Sequence, residues 1–300
     1  MFEYKVKFKG DNDILLSKDN FESYGDAEYW ATEAIERACE KCEEWEPDKT
    51  YTEEDFEYLI SGSLDEQEVA DKFNNWQNDK DAQKWLEIMM YNLKEITSVH
   101  AEKIGGKDYK SDINVTINVT VKKKSRDTEL TSVENIQVKL VSNDVGFNQV
   151  EKKKVEQYLE NWHIDSEIET LLKLYDGELS PRNGSRDSKR MFVDEFTQVE
   201  QDKLKTFLQK NLIMIISDVI RGRGRFAVEW TLVINKSDGY KWRLIAVNEA
   251  ISIYAGECQV IFTKSGNIHL GNITLQRKGG DNGADSANML QFKANPMILF

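Results

Sequence analysis

The chain has 300 residues, 40% of them hydrophobic, enough for one large domain or two small ones. No apolar run approaches the ~18 residues of a membrane span, and the alternating start over residues 1–8 lacks a signal peptide's apolar centre, so a soluble cytoplasmic protein is expected. The net charge of −13 argues against a nucleic-acid partner only until its distribution is considered: residues 1–60 hold a net of −11 and the remaining 240 a net of −2, with bases clustered at 152–154, 182–190, 221–225 and 277–278.

Residues 1–60 read as a small acidic appendage built strand–strand–helix. Phe2, Tyr4, Val6 and Phe8 alternate, and residues 14–16 suggest a second strand. Tyr24, Ala27, Ala31, Ala34, Ile35, Ala38, Cys42 and Trp45 then recur at helical spacing. Cys39 and Cys42 have CxxC spacing, but Cys258 and the lone His100, His163 and His269 supply no second ligand pair. Packing is therefore the expected role of these cysteines. Residues 45–55 form the best linker, which sets domains at 1–60 and 61–300. Ser63 and Glu66 have the spacing of a capping box. Apolar helix faces follow at Val69, Ala70, Phe73 and Trp76, and again at Trp85, Leu86, Met89 and Met90.

Beyond a break at Gly105-Gly106, two runs alternate strictly. Over residues 111–121, Ile113, Val115, Ile117, Val119 and Val121 share one strand face and Asp112 sits on the other. Over residues 135–140, Ile136, Val138 and Leu140 share a face, with Gln137 and Lys139 opposite. If the Lys-rich segment 122–134 closes a hairpin, Asp112, Gln137 and Lys139 meet on one face. A carboxylate, an amide oxygen and an ammonium so placed could hold a divalent metal and a phosphate. The same alternation is also what an ordinary antiparallel sheet presents to water.

Farther on, residues 153–174 are broadly helical, and 180–190, with Pro181 and Gly184, form a loop. Residues 199–210 are helical, 212–219 make a buried apolar run, and 226–235, 242–247 and 268–276 read as strands. The pattern is a mixed α/β (α+β) chain with a central sheet.

Ser111-Asp112 through Gln137-Val138-Lys139 resembles, in variant form, the active-site signature of PD-(D/E)xK nucleases. The stretches NIQVKLVSNDVGFNQ, RGRGRFAVEW and LQRKGGDNGADSANMLQFKANP are similar to those of the HinPI-type restriction endonucleases, which cut at GCGC. The similarity runs from about Ser63 to Phe300. Ser111 replaces the superfamily's usual proline and Gln137 its usual carboxylate. A neutral amide binds a hard cation less strongly, yet glutamine is expected here within the closer family.

The resemblance implies a PD-(D/E)xK fold, with a central mixed β-sheet flanked by helices, in a type II restriction endonuclease acting on double-stranded DNA. It implies Mg²⁺, one or two per site, held by Asp112, Gln137 and the Val138 carbonyl, with Lys139 beside the phosphate. Glu66 is either a further ligand or a capping carboxylate. Arg277, Lys278, Asp281 and Asn282 supply a donor–acceptor mix suited to G·C pairs, and Gln291 and Lys293 follow on an alternating run. By resemblance Gln149 enters the duplex with Lys152 alongside, while Arg221 and Arg223 suit phosphates. For each base the bland alternative is ordinary surface charge. A cognate DNA methyltransferase is the implied counterpart, and a palindromic target makes a homodimer attractive. Two rivals stand beside this reading: a repair or structure-specific nuclease of the same fold, and a catalytically silent DNA-binding protein, which Gln137 keeps open.

Overall fold

The computed structural model describes the chain except residues 1, 12, 22–23, 46–47, 63–65, 105–109, 122–127, 142–145, 237–240 and 280–286. The strands are β1 (Phe2–Phe8), β2 (Ile14–Phe21), β3 (Phe56–Gly62), β4 (Ile96–Lys103), β5 (Ile113–Val121), β6 (Thr128–Val141) and β7 (Asn148–Lys153). They continue with β8 (Trp230–Asn235), β9 (Lys241–Ala246), β10 (Val260–Phe262), β11 (Ile268–Leu270), β12 (Ile273–Lys278) and β13 (Met289–Ala294). The helices are α1 (Tyr24–Trp45), α2 (Glu66–Asn74), α3 (Lys80–Ile88), α4 (Leu159–Trp162), α5 (Ser166–Asp176), α6 (Gln198–Arg221) and α7 (Val247–Ala255). They fold into two compact units, Met1–Lys107 with Ser111–Asn143 and Leu232–Leu244, and Asp108–Lys110 with Asp144–Thr231 and Ile245–Phe300.

In the first unit, β2-β1-β3 form a small sheet against which α1 packs. Ala27, Ala31, Ala34, Ala38 and Cys42 are buried along α1, and small side chains at this spacing let a helix lie close to strands. Cys42 thus has the packing role its spacing suggested. The third strand was not legible beforehand: β3 pairs with β1 from Phe2↔Gly62 to Phe8↔Phe56, so the small sheet runs past residue 60.

The larger sheet of this unit has the order β4-β5-β6-β8-β9. β4, β5 and β6 are antiparallel neighbours, whereas Lys236 N–H, just past β8, donates to Val141 O at the end of β6 (2.8 Å). The ends of β6 and β8 therefore lie together, and the sheet is mixed. Ile113, Val115, Ile117 and Ile136 are fully buried, each such side chain contributing about 1.5–3 kcal/mol on leaving water. Phe73 of α2 and Trp85 of α3 meet with ring centroids 5.1 Å apart. Met90, expected on an apolar helix face, lies past the end of α3 with φ 70° and is 88% exposed. The hairpin loop is shorter than expected, because Thr128 already pairs with Val121. The break at Gly105-Gly106 and the Ser63 cap lie outside the described residues.

The second unit is built on an antiparallel sheet, β10-β11-β12-β13-β7. Tyr158 and Trp162 stack at 4.0 Å, and both meet Phe292 edge-on. The segments expected as helix 199–210 and apolar run 212–219 are one helix, α6. Thr197 and Glu200 cap its start reciprocally, and Leu204, Leu208, Leu212, Ile215, Ile216 and Val219 line its buried side. The run 268–276 is two strands rather than one. It folds at Gly271-Asn272, with Leu270 paired to Ile273. Gly271 has φ 58°, and a Cβ there would lie 2.3 Å from Ala255 O, so only glycine suits the turn. Among the described residues no helix is long and apolar enough to cross a membrane.

Candidate active site

The β5–β6 register decides which polar groups meet. Ile113 pairs with Ile136, and Asp112 N–H donates to Ile136 O (2.9 Å), so Asp112 lies beside the Ile136–Val138 stretch of β6, on which Gln137 and Lys139 share one strand face. On the other side Asp112 O accepts from Ile104 N–H (2.9 Å). The aspartate backbone is thus held by neighbouring chain on both flanks. Its carboxylate is fixed as well, because Oδ2 accepts the Val138 N–H at 2.8 Å. A hydrogen bond to an ionised acceptor is stronger than a neutral one and orients the group before any ligand arrives.

Gln137 is 5% exposed and Val138 equally so, whereas Asp112 and Lys139 are half-buried. Burial pulls the Lys139 ammonium below the ordinary lysine pKa, opposed by the negative charges of Asp112 and Glu66. Glu66 opens α2 and forms an ion pair with Lys103 at the end of β4 (2.7 Å). The other end of α2 is tied to the same strand. Asn74 donates to Ala101 O (2.9 Å) and accepts from Ala101 N–H (2.8 Å). Helix and sheet thereby bring Glu66 within electrostatic reach of Lys139. Neither Lys103 nor β4 was identified from the sequence, since the alternation of β4 is interrupted by Ser98 and His100.

The donor set expected from the sequence is all oxygen: the Asp112 and Glu66 carboxylates, the Gln137 amide and the Val138 carbonyl. Such a set fits a hard divalent cation. Among the described residues no three His, Cys, Asp or Glu side chains cluster as a metal site, so one or two carboxylates and neutral oxygens would have to suffice. This is the arrangement of a cation that keeps much of its water.

The residues expected to read DNA lie in the second unit. Gln149 and Lys152 are exposed on β7. This strand was not legible beforehand, because the consecutive charges of Lys152, Lys153 and Lys154 hide its alternation. Glu151 and Lys153, two residues apart, form an ion pair at 2.7 Å. Lys278 ends β12, and Gln291 is buried in β13. Arg221 is the exposed last residue of α6, and Arg223 donates from Nε to Asp218 Oδ1 (2.5 Å). Asp281 and Asn282 lie outside the described residues.

Arg277 is placed differently from the expectation. It pairs with Leu290, whose side chain is fully buried, and so shares the inward face of the sheet. Its Nε donates to Asp176 O (2.8 Å) and its Nη2 to Asn288 Oδ1 (2.6 Å). The guanidinium ties the ends of β12 and β13 to the end of α5. Gln276, which no motif had singled out, occupies the outward face instead and bonds to Gln291 (2.8 Å). Its alternation with the inward Leu275 and Arg277 was the available signal.

The model of the R.HinP1I restriction endonuclease family matches residues 89–300, more than half of the chain. Among solved structures, the chain is similar to restriction endonuclease MspI in complex with its cognate DNA, with a TM-score of 0.50 and 14% identity over 76% of this chain and 83% of that one. At that identity the likeness is one of fold, and the fold is that of the PD-(D/E)xK nucleases. No curated protein matches the sequence.

Proposed function

The chain belongs to the R.HinP1I restriction endonuclease family and is a type II site-specific deoxyribonuclease, and from that premise we propose a Mg²⁺-dependent hydrolysis of double-stranded DNA at the palindrome GCGC. The observation that carries the chemistry is the Asp112 carboxylate fixed on the Val138 N–H at 2.8 Å, with Lys139 the next residue along β6.

Asp112, Gln137 and the Val138 carbonyl would hold the cation, with Glu66 as a further carboxylate. Bound Mg²⁺ would supply an acidified water and charge relief at the phosphate. Asp112 brings the negative charge, already oriented by its hydrogen bond. Gln137 adds a neutral oxygen and is kept from solvent by burial. Lys139 faces the phosphate, where its ammonium stabilises the growing negative charge and orients the attacking water.

Duplex DNA as the partner is supported by the family and by the fold shared with a chain crystallised on its cognate DNA. GCGC is supported by the three segments similar to the HinPI-type enzymes, all inside the matched residues. A cytoplasmic setting, a methyltransferase that protects host sites and a homodimer on the palindrome complete the reading. Residues 1–60, with a net charge of −11, lie outside the matched span and are proposed as an acidic appendage.

Plasmid DNA incubated with the purified protein and Mg²⁺, followed by sequencing of the fragment ends, tests this. Discrete cuts at GCGC that vanish with a chelator are expected. Discrete cuts at another palindrome would replace the target, and intact plasmid would favour a silent binder.

A further inference from the structure

Three glutamine amides run across the second sheet in a line. Gln276 Nε2 on β12 donates to Gln291 Oε1 on β13 at 2.8 Å, and Gln291 Nε2 donates to Gln149 Oε1 on β7 at 2.6 Å. Gln276 and Gln291 are paired in register, while Gln149 stands opposite Lys293, across the irregularity between Phe292 and Lys293. All three lie on the face turned away from Leu275, Leu290 and Phe292. Gln291 is 6% exposed with both ends of its amide engaged. Gln276 is half-buried and Gln149 exposed.

A line of amides has a direction. Each link uses the donor end of one group and the acceptor end of the next, so the two outer groups are left with opposite unused ends. Among the described residues neither Gln149 Nε2 nor Gln276 Oε1 makes a hydrogen bond. Lys152 and Lys293 share the face and add positive charge suited to a phosphate backbone.

We propose that Gln276, Gln291 and Gln149 form a base-reading relay, an inference that rests on the DNA-endonuclease reading. Gln149 offers its amide hydrogens to the O6 and N7 acceptors of a guanine. Gln276 offers its oxygen to the amino group of a cytosine. Gln291 is a positioning residue that sets the sense of both. Adenine is read by the two ends of a single amide, and here each outer amide already has one end committed. The relay therefore favours G·C pairs at both of its ends.

The test is selection of bound duplexes from a randomised pool, with Ca²⁺ replacing Mg²⁺, for the wild type, Gln291→Glu and Gln276→Leu. Gln291→Glu keeps the shape and the link from Gln276 but removes the donor. Gln149 then turns its amide hydrogens inward and offers oxygen outward. The expected result is an altered base preference at one position of the selected site. Gln276→Leu relaxes a different position. Each change in discrimination is roughly ten- to hundredfold, with thermal unfolding unchanged. If both variants select the wild-type site with the same preference at every position, the relay falls and the nuclease reading stands. If the wild type selects no duplex, both fall together.

Discussion

Gln137 and Gln291 are both buried glutamines inside five-stranded sheets, 5% and 6% exposed, but their neighbours differ in kind. Gln137 sits between Ile136 and Val138, whose backbones both bond Asp112, and shares its strand face with Lys139, so charge stands near it. Gln291 is bonded on both sides by neutral amides, with the ammonium groups of Lys152 and Lys293 and, among the described strand residues, no carboxylate on its face. Breaking a phosphodiester bond needs few groups, held rigidly and partly withdrawn from water, where charges act strongly. Reading bases needs donors and acceptors spread over a reachable surface. On the proposed reading, the same side chain serves either purpose according to what stands beside it.

The sharpest way to break this contrast is at Lys139. Lys139→Ala is expected to lower single-turnover cleavage by roughly a hundred- to a thousandfold while leaving duplex affinity within about twofold. Cleavage at the wild-type rate would remove Lys139 from the chemistry.

Asp176 tests whether the second unit carries hidden charge of its own. Its side chain is fully buried, Oδ2 has no hydrogen-bond partner, and burial raises its pKa to about 8. Below the ordinary carboxyl range both folded and unfolded states are protonated. Between about 4 and 8 the folded state binds the proton more tightly, so stability falls as pH rises and the full penalty is present above 8. Asp176→Asn is expected to flatten that fall, gaining up to a few kcal/mol over the wild type at pH 9 relative to pH 5 in urea unfolding. Parallel pH profiles would contradict the raised pKa.

Arg277 separates clamping from reading. Arg277→Ala is expected to lower stability by about 1–3 kcal/mol through its lost charge-assisted hydrogen bonds and to weaken binding to all sequences equally. Relaxation at a single base position with unchanged stability would return Arg277 to base readout. The smallest effect is expected at the half-exposed Lys103–Glu66 pair. Lys103→Ala should change stability by less than about 1 kcal/mol, and a larger loss in urea unfolding would show a pair far better shielded than its exposure implies.

How much of this was legible in the sequence depended on the range of the contacts involved. Helix α1 and the pairing of the two alternating runs follow from local periodicity, and both are present in the structure. The two-strand fold at Gly271-Asn272 had a local turn signal that a longer apolar run concealed. Arg277 could not be read that way. Its partner Asp176 lies 101 positions away, and an arginine in a glycine-rich segment looks the same whether it faces a base or a helix end. The amide relay depends on a diagonal contact between strands 142 positions apart, which no period within either strand reveals.

On the proposed function the hairpin cuts while other residues bind. Asp112→Asn keeps the side chain's shape and removes its charge, and the decisive measurement is cleavage and duplex binding by this variant side by side with the wild type. Wild-type affinity in Ca²⁺ and no detectable cutting in Mg²⁺ are expected. Cutting at the wild-type rate would contradict the claim.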